Sequence, residues 1–206
     1  VKADLETKRQ EKVDKMAELE KTETELENAA TLLAERRKNA ISAIDDEMAK
    51  VINDLAEQMK NGTASTFTGT DFAYPTPGFT IITTSFGEVY NLVDPNGSAH
   101  TGTDIAGANI NCTPIYAIQD GLVTTSGYSN YGYGNYIIIN HGECTDNNSS
   151  YISLYGHCSS LAVEEGENVK KGQLIGYVGT TGNSTGPHLH IEVRVNGTRV
   201  DPLMFF

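Results

Sequence analysis

The stretch His188-Leu189-His190-Ile191-Glu192-Val193-Arg194-Val195 alternates strictly between polar and apolar side chains. A period of two predicts a β-strand with one apolar face towards a core and one polar face. His188 and His190 share the polar face, roughly 6.6 Å apart along the strand, so one imidazole can bind a metal ion while the other reaches a metal-bound water or a substrate. A solvated strand face that merely carries two imidazoles is the alternative that this motif alone leaves open.

The segment His100-Thr101-Gly102-Thr103-Asp104 is the second motif with the chemistry of metal ligands. Gly102 and two β-branched threonines argue against a helix, which predicts a turn leading into a short strand over 103–106. A glycine at this position lets the backbone bring the imidazole and the carboxylate towards one point. Both groups are ordinary zinc ligands. Alone the spacing is a weak signal, but beside the His-x-His strand it predicts a metal site.

These motifs, with His157 after Leu154-Tyr155-Gly156, resemble the lysostaphin-type (LytM-like) zinc metallopeptidases that cut peptidoglycan. The resemblance extends from Tyr74 to Leu203 and includes the stretch 179–187 that leads into the histidine pair. It implies a mainly β fold, an antiparallel sheet or sandwich with a groove.

The resemblance also implies a set of site residues. One zinc ion would be bound by His100, Asp104 and His190, and the catalytic imidazoles would be His157 and His188. Three protein ligands leave a fourth position for water, which is typical of a catalytic zinc site. We assign His188 as the general base because its strand neighbour holds the metal, and His157 to the developing oxyanion or to proton transfer. The two roles can be exchanged. No Glu lies between the paired histidines as it does in the His-Glu-x-x-His helix, so this is not a thermolysin-type site.

The implied function is that of a zinc-dependent endopeptidase acting on peptide cross-links or stem peptides of bacterial peptidoglycan. Asn130, Tyr131 and Tyr133 lie in a glycine-punctuated stretch that resembles the family's segment beside the cleft. They are the expected substrate contacts, because tyrosines pack against peptide backbone and donate hydrogen bonds; ordinary exposed tyrosines in a turn are the alternative. The competing function is a non-enzymatic regulator that activates another wall hydrolase or belongs to a cell-envelope complex. A complete ligand set argues against it.

Residues 1–60 contain no glycine or proline and are rich in Glu, Lys, Ala and Leu. Apolar side chains recur at three- and four-residue steps, which predicts an amphipathic helix of the coiled-coil type. One long helix and a hairpin with a break at 35–39 both satisfy the pattern. The apolar stripe needs a partner: a membrane complex, a second copy of the chain, or the catalytic domain. The helical segment is expected to position that domain, or to block its cleft until a partner pulls the segment away. Gly62 then ends the helix, giving a linker over 61–73 and a peptidase domain over 74–206.

Short β-rich runs separated by Gly, Asn, Asp and Pro follow from residue 79 onwards and predict a mainly β domain. Besides the two strands above, the predicted strands are 79–83, 113–118, 121–125, 136–140, 151–154 and 173–178. His141 ends one of these runs and is expected to be structural rather than a ligand. Three cysteines allow one disulfide in three pairings, and an extracellular setting favours one bond: Cys112, Cys144 and Cys158.

The 206 residues carry a net charge of −12, which disfavours nucleic acid as a partner because phosphate binding needs clustered Lys and Arg. Of the 15 basic side chains, 11 lie before residue 61, so the β-rich part is acidic. No uninterrupted apolar run approaches ~18 residues, and no membrane span is expected in this segment. No signal peptide is visible at Val1. We expect a location at the bacterial cell surface, with an export signal or an anchor upstream.

Overall fold

The computed structural model describes residues 2–89, 99–130 and 132–206, which form one long helix followed by short strands. The helix is α1 (Lys2–Lys60). The strands in the described residues are β1 (Thr66–Phe67), β2 (Ile81–Thr84), β3 (Thr103–Ala106), β4 (Pro114–Tyr116), β5 (Gly121–Ser129), β6 (Gly134–Cys144), β7 (Ser149–Cys158), β8 (Ser160–Leu161), β9 (Asn168–Val169), β10 (Leu174–Tyr177), β11 (Leu189–Val195) and β12 (Thr198–Val200). A 3-10 turn, Pro202–Met204, follows β12.

α1 is continuous, as the single-helix interpretation of the sequence predicts. No glycine or proline interrupts its backbone hydrogen bonds, because neither residue occurs before Asn61. Gly62 ends the helix in the left-handed conformation, with φ of +65° and its N–H donating to the carbonyl of Met59 at 3.1 Å. This is the usual way in which a glycine terminates a helix.

The chain divides by its internal packing into two units, Val1–Asn39 and Ala40–Phe206. In the first unit large apolar side chains of the helix are exposed: Val13, Met16, Leu19, Leu26, Leu32 and Leu33. In the second unit the helix residues Ile44, Met48 and Leu55 are at most 4% exposed. The packing boundary therefore lies inside α1, whereas composition placed the boundary at residue 60. The reason is that the apolar stripe of residues 44–59, here called the docked segment, packs against the β-sheet.

The main sheet has the strand order β2-β3-β11-β7-β6-β5-β9 and is antiparallel along this path. β12 pairs with β11, and β1 pairs in parallel with β6. A smaller sheet has the order β4-β10-β8. The predicted class, a mainly antiparallel β domain preceded by a helix, is confirmed. The predicted linker over 61–73 contributes to this domain, because it contains β1 and buries Phe67 and Phe72 in the core.

β11 has one apolar and one polar face, as the alternation predicts, but the polar face is buried as well. Its first face carries Leu189, Ile191 and Val193 in the larger apolar core. Its second face carries His190 and Glu192, and these side chains are also buried, at 4% and 0% exposure. Alternation sorts side chains between faces, but it does not tell whether the polar face meets water or another element.

The strand containing the histidine pair begins one residue later than predicted, at Leu189, and His188 forms an isolated bridge with Gly179. The short strand predicted over 103–106 is observed with those bounds. The hairpin of β6 and β7 is longer than the runs 136–140 and 151–154 predicted, because both strands continue through residues of low apolar character.

The three cysteines are free thiols in this structure, so the expected disulfide is absent. Cys144 pairs with Ser149 at one end of the β6–β7 hairpin, and Cys158 pairs with Asn135 at the other end. Nine residue steps along β7 correspond to roughly 30 Å. A bond between Cys144 and Cys158 is therefore excluded by the length of the hairpin, since Cα atoms of a disulfide lie within ~7 Å.

Candidate active site

The register between β3 and β11 places Asp104 directly opposite His190, and His100 lies three residues before the start of β3. His190 Nδ1 lies 2.8 Å from Asp104 Oδ1 and 3.1 Å from His100 Nε2. His100 Nε2 lies 3.2 Å from the same carboxylate oxygen. All three side chains are buried, and their ligand atoms lie within 4.8 Å of one another. The structure thus brings together the three residues that the sequence suggested as metal ligands.

Gly102 is required at its position because of a close approach rather than an unusual conformation. Its φ is not in the left-handed region, in contrast to the reason inferred from the sequence. A Cβ atom on Gly102 would overlap the carbonyl oxygen of Ile191 and would lie 2.9 Å from His190 Nε2 and 3.0 Å from Glu192 Cγ. The His-x-Gly-x-Asp turn therefore packs directly on the partner strand that supplies the third ligand.

Both imidazoles of the cluster use their outward nitrogen for another contact. His100 Nδ1 lies 3.2 Å from the carbonyl oxygen of Ser85, which only accepts, so this nitrogen carries the proton. His190 Nε2 faces the carboxylate of Glu192 at 3.4 Å. With the outward nitrogen protonated, each ring can present a lone pair to a metal ion at the nitrogen that faces Asp104, Nε2 of His100 and Nδ1 of His190, in place of the hydrogen bond to that carboxylate. Two imidazole nitrogens and one carboxylate oxygen are a donor set that zinc accepts, and the residues fit the group.

The protonation of the cluster is shifted by its own contacts. Burial alone would raise the pKa of Asp104, but hydrogen bonds from His100 and His190 hold that pKa well below its usual value. Burial alone would lower the pKa of His190, but its contacts with Asp104 and Glu192 raise it to about 9. A metal ion therefore competes with a proton for His190, as is usual for imidazole ligands.

His157 and His188 lie beside the cluster with their ring centroids 4.6 Å apart. The His157 ring is 5.8 Å from that of His190, and His188 Nε2 is 3.7 Å from Asp104 Oδ1. His157 has a φ of +61°, which is rare for a residue with a side chain and is held here by a hydrogen bond from its N–H to the carbonyl of Tyr133 at 2.7 Å. Strained backbone of this kind is found most often where a side chain is aimed at a site.

The loop that precedes β11 orients both of these imidazoles through backbone carbonyls. His188 Nδ1 lies 2.8 Å from the oxygen of Gly186, and His157 Nδ1 lies 2.8 Å from the oxygen of Thr181. A carbonyl only accepts, so both Nδ1 atoms carry the proton and both Nε2 atoms retain a lone pair. Burial lowers the pKa of His157 to about 3, with further contributions from the neighbouring His190 and His188. The His157 ring is consequently neutral at neutral pH.

Two residues that the sequence did not single out support the cluster. Glu192 is fully buried; Tyr133 donates its hydroxyl to Oε1, and Arg199 donates Nε–H to Oε2 at 3.1 Å. The one available signal was the alternation of β11, which placed Glu192 on the same face as His190. Arg199 lies on β12 and gave no local signal, because its position depends on the β11–β12 pairing.

The expected substrate contacts have different environments. Asn130 is exposed, and Tyr131 lies outside the described residues. Tyr133 is 5% exposed, with its hydroxyl near Thr101 as well as Glu192. Contact between these three residues and a substrate stays a prediction. His141, expected to be structural, is buried away from the cluster, with Nδ1 2.8 Å from the carbonyl of Asp120 and Nε2 2.8 Å from Ser153 Oγ.

An antiparallel sheet with a His-Asp-His cluster and two further imidazoles beside it agrees with the resemblance to the lysostaphin-type peptidases. The chain belongs to peptidase family M23, which matches residues 98–202. The DD-carboxypeptidase/endopeptidase Mpg of Neisseria meningitidis is 40% identical over 125 residues, which cover 61% of this chain and 27% of that protein. Lysostaphin of Staphylococcus simulans is 41% identical over 114 residues, which cover 53% of this chain and 22% of lysostaphin.

Solved structures give the same assignment. A zinc-containing peptidase from Vibrio cholerae is 35% identical with a TM-score of 0.54, over 62% of this chain and 37% of that chain. The catalytic domain of lysostaphin from Staphylococcus simulans is 35% identical with a TM-score of 0.51, over 62% of this chain and 91% of that chain. The chain spans about a quarter of the curated relatives, 27% of Mpg and 22% of lysostaphin. Within the described residues, no helix combines the length and the apolar character needed to cross a bilayer.

Proposed function

We propose that this protein is a zinc-dependent endopeptidase that hydrolyses peptide cross-links or stem peptides of bacterial peptidoglycan, at the cell wall. One observation carries the proposal: His100, Asp104 and His190 converge within 4.8 Å, beside two imidazoles whose Nε2 atoms are free to take a proton. The relatives support the substrate class. Their names include a peptidoglycan DD-endopeptidase and a glycyl-glycine endopeptidase, so they do not decide between the two kinds of bond.

The proposed division of labour follows from the two imidazoles. A zinc ion bound by the cluster would polarise the scissile carbonyl and lower the pKa of a water molecule. His188 accepts the proton at Nε2, because Gly186 holds the proton on Nδ1. His157 also has a lone pair at Nε2, because Thr181 holds its proton on Nδ1, but its low pKa makes it a weak proton acceptor at neutral pH. This favours His188 as the base and leaves His157 to assist proton transfer; oxyanion stabilisation by His157 would need a proton on Nε2.

Three alanine variants and one control test this proposal. His190→Ala and Asp104→Ala should lose both zinc and wall hydrolysis, whereas His188→Ala should keep zinc and lose activity. His141→Asn replaces a histidine outside the cluster and should keep both. Zinc is measured by atomic emission on the purified protein, and the wall digest is analysed by mass spectrometry. Full turnover by His188→Ala would overturn its role as the base, and a zinc-free, inactive native protein would overturn the proposal.

We also propose that the docked segment regulates this site. In an antiparallel sheet, residues opposite each other share a face. Glu192 is opposite Leu154, and Leu154 is opposite Ile138, so these side chains lie on the face that carries His190. The docked segment covers that face through a second apolar cluster formed by Ile44, Met48 and Leu55 of the helix and by Tyr133, Tyr136, Ile138, Ile152 and Leu154 of the sheet. A wall peptide that runs along the sheet from the metal centre meets the helix.

Polar contacts fix the docked segment on the same face. Glu47 accepts hydrogen bonds from Thr125 at 2.7 Å and from the Tyr136 hydroxyl at 2.8 Å. Asp45 pairs with Arg194 at 2.7 Å and with Arg199 at 2.5 Å.

We propose that a partner releases the docked segment. This partner would bind the exposed apolar side chains of the helix in the first unit, either as a second copy of the chain in a coiled coil or as part of a membrane complex. A purely non-enzymatic regulator is disfavoured, because such a protein needs no complete ligand set.

A further inference from the structure

Among the residues that the structure describes, Glu192 is the carboxylate that lies directly behind a member of the candidate metal cluster. Its side chain has no exposed surface. Oε1 accepts the hydroxyl hydrogen bond of Tyr133 and lies 3.4 Å from His190 Nε2. Oε2 accepts Arg199 Nε–H at 3.1 Å and lies 3.5 Å from the Arg194 guanidinium. Every described partner of this carboxylate is thus a donor.

A buried carboxylate is unfavourable unless donors and opposite charges surround it. Here two arginines neutralise Glu192, and Asp45 of the docked segment in turn neutralises the two arginines. These four side chains form a network of alternating charges that connects the docked segment to the metal cluster. Tyr133, Arg194 and Arg199 also contact Glu192, so its position does not depend on the His190 imidazole alone.

The two histidines of the cluster differ in what holds their outward nitrogen. His100 Nδ1 is held by the backbone oxygen of Ser85, which no side-chain substitution removes. His190 Nε2 meets a side-chain carboxylate, which only accepts while it is ionised. Without a metal ion, Nδ1 donates to Asp104 at 2.8 Å; when a metal ion takes Nδ1, the one proton left on the neutral imidazole would lie on Nε2, where Glu192 accepts it. Gly102 packs over the same contact, since a Cβ there would lie against both His190 Nε2 and Glu192 Cγ.

We propose that Glu192 is the positioning residue that holds His190 in the Nε2–H tautomer and thereby sets the metal affinity of the centre. The inference rests on the proposed function in one respect, that the cluster binds zinc. A carboxylate behind an imidazole ligand orients the ring and makes it a better donor, and loss of such a group typically lowers metal affinity by roughly 10–100-fold. Arg199 and Asp45 act on the centre through Glu192.

The test compares zinc affinity among Glu192→Ala, Glu192→Gln and the native chain by competition with a chromophoric chelator. Glu192→Ala should weaken zinc binding by roughly 10–100-fold. Glu192→Gln should recover much of the affinity, because its amide oxygen still accepts from Nε2–H. Ser153→Ala is the matched control: Ser153 is buried in the same sheet at 0% exposure and contacts His141 rather than the cluster. It should lower thermal stability and leave zinc affinity unchanged.

A spectroscopic readout separates positioning from general destabilisation. In the zinc-loaded protein the His190 Nε2–H proton should resonate downfield and exchange slowly with water, because it is bonded to a carboxylate. It should move upfield in Glu192→Gln and exchange rapidly in Glu192→Ala. Should the alanine variant fail to fold, the glutamine variant still decides, since a neutral acceptor must change this resonance.

The outcomes distinguish the two levels of the proposal. A native chain that binds no zinc overturns the proposed function and the inference together. A native chain that binds zinc, with Glu192→Gln and Glu192→Ala matching it in both affinity and the Nε2–H resonance, overturns the inference alone.

Discussion

Met48 is the residue at which the regulatory role of the docked segment can be tested most directly. Its side chain is 0% exposed and belongs to the cluster between the helix and the sheet. Truncation of a buried methionine to alanine costs about 2–5 kcal/mol. Alanine is the best helix former, so Met48→Ala removes packing without weakening the helix itself. At about 1.4 kcal/mol per factor of ten, the equilibrium between docked and released segment should shift by roughly 30- to 4,000-fold.

The assay has two readouts on the same variant. Amide hydrogen exchange across residues 44–59 reports release of the docked segment, and dye release from labelled cell walls reports access to the site. We expect both to increase in Met48→Ala. Leu26→Ala is the control, because Leu26 is 66% exposed in the first unit, and it should change neither. Faster exchange with an unchanged rate of wall hydrolysis would refute the idea that this segment limits access.

Two further predictions concern the site and the core. Gly102→Ala should lower the melting temperature and the zinc content, because its Cβ would overlap the Ile191 carbonyl and overpacking of this kind costs about 1–3 kcal/mol; Gly127→Ala, whose nearest neighbour is 4.0 Å away, should be close to neutral in both measurements. A native zinc content in Gly102→Ala would contradict the close packing of the two motifs. Burial lowers the pKa of His141 to about 4, below the ~6.5 of an unfolded chain. Between these two pKa values the unfolded state binds more protons than the folded state. The neutral, buried His141 therefore contributes to the free energy of unfolding above pH ~6.5, and this contribution is lost as the pH falls towards 4. The total loss is about 3 kcal/mol. Urea unfolding of the native chain and of His141→Gln at pH 7.5 and 4.5 checks this, and an equal loss of stability in both proteins would show that His141 does not titrate on unfolding.

The candidate ligands were within reach of the sequence because each signal is local. The strict alternation around His190 predicted a strand and its polar face. The glycine-containing turn before Asp104 predicted a second strand. Residue chemistry made both motifs candidates for a metal site, since zinc accepts imidazole and carboxylate ligands. The resemblance to the lysostaphin-type family then implied which three side chains are the ligands.

Other features depended on packing between distant segments. The cover over the polar face of β11 comes from residue 45 and its neighbours, about 150 positions earlier in the chain, as the 149-residue separation of the Asp45–Arg194 pair records. An apolar stripe predicts that one face of the helix is buried, but it does not predict which part of the protein covers that face. The same pattern is buried in the docked segment and exposed in the first unit. Charge gave no better guide, because Asp45 is one of many acidic residues in the helix.

The amino-acid order alone determined the kinds of element, the two motifs and the identity of the groups that can hold a metal, since periodicity and side-chain chemistry act over a few residues. Tertiary structure decided the rest: the β3–β11 register that sets Asp104 against His190, the burial of Glu192, and the helix on the sheet. These are contacts between segments far apart in the chain. The free energy that stabilises these contacts comes from excluding water between two apolar surfaces. Those surfaces form only when both segments have folded.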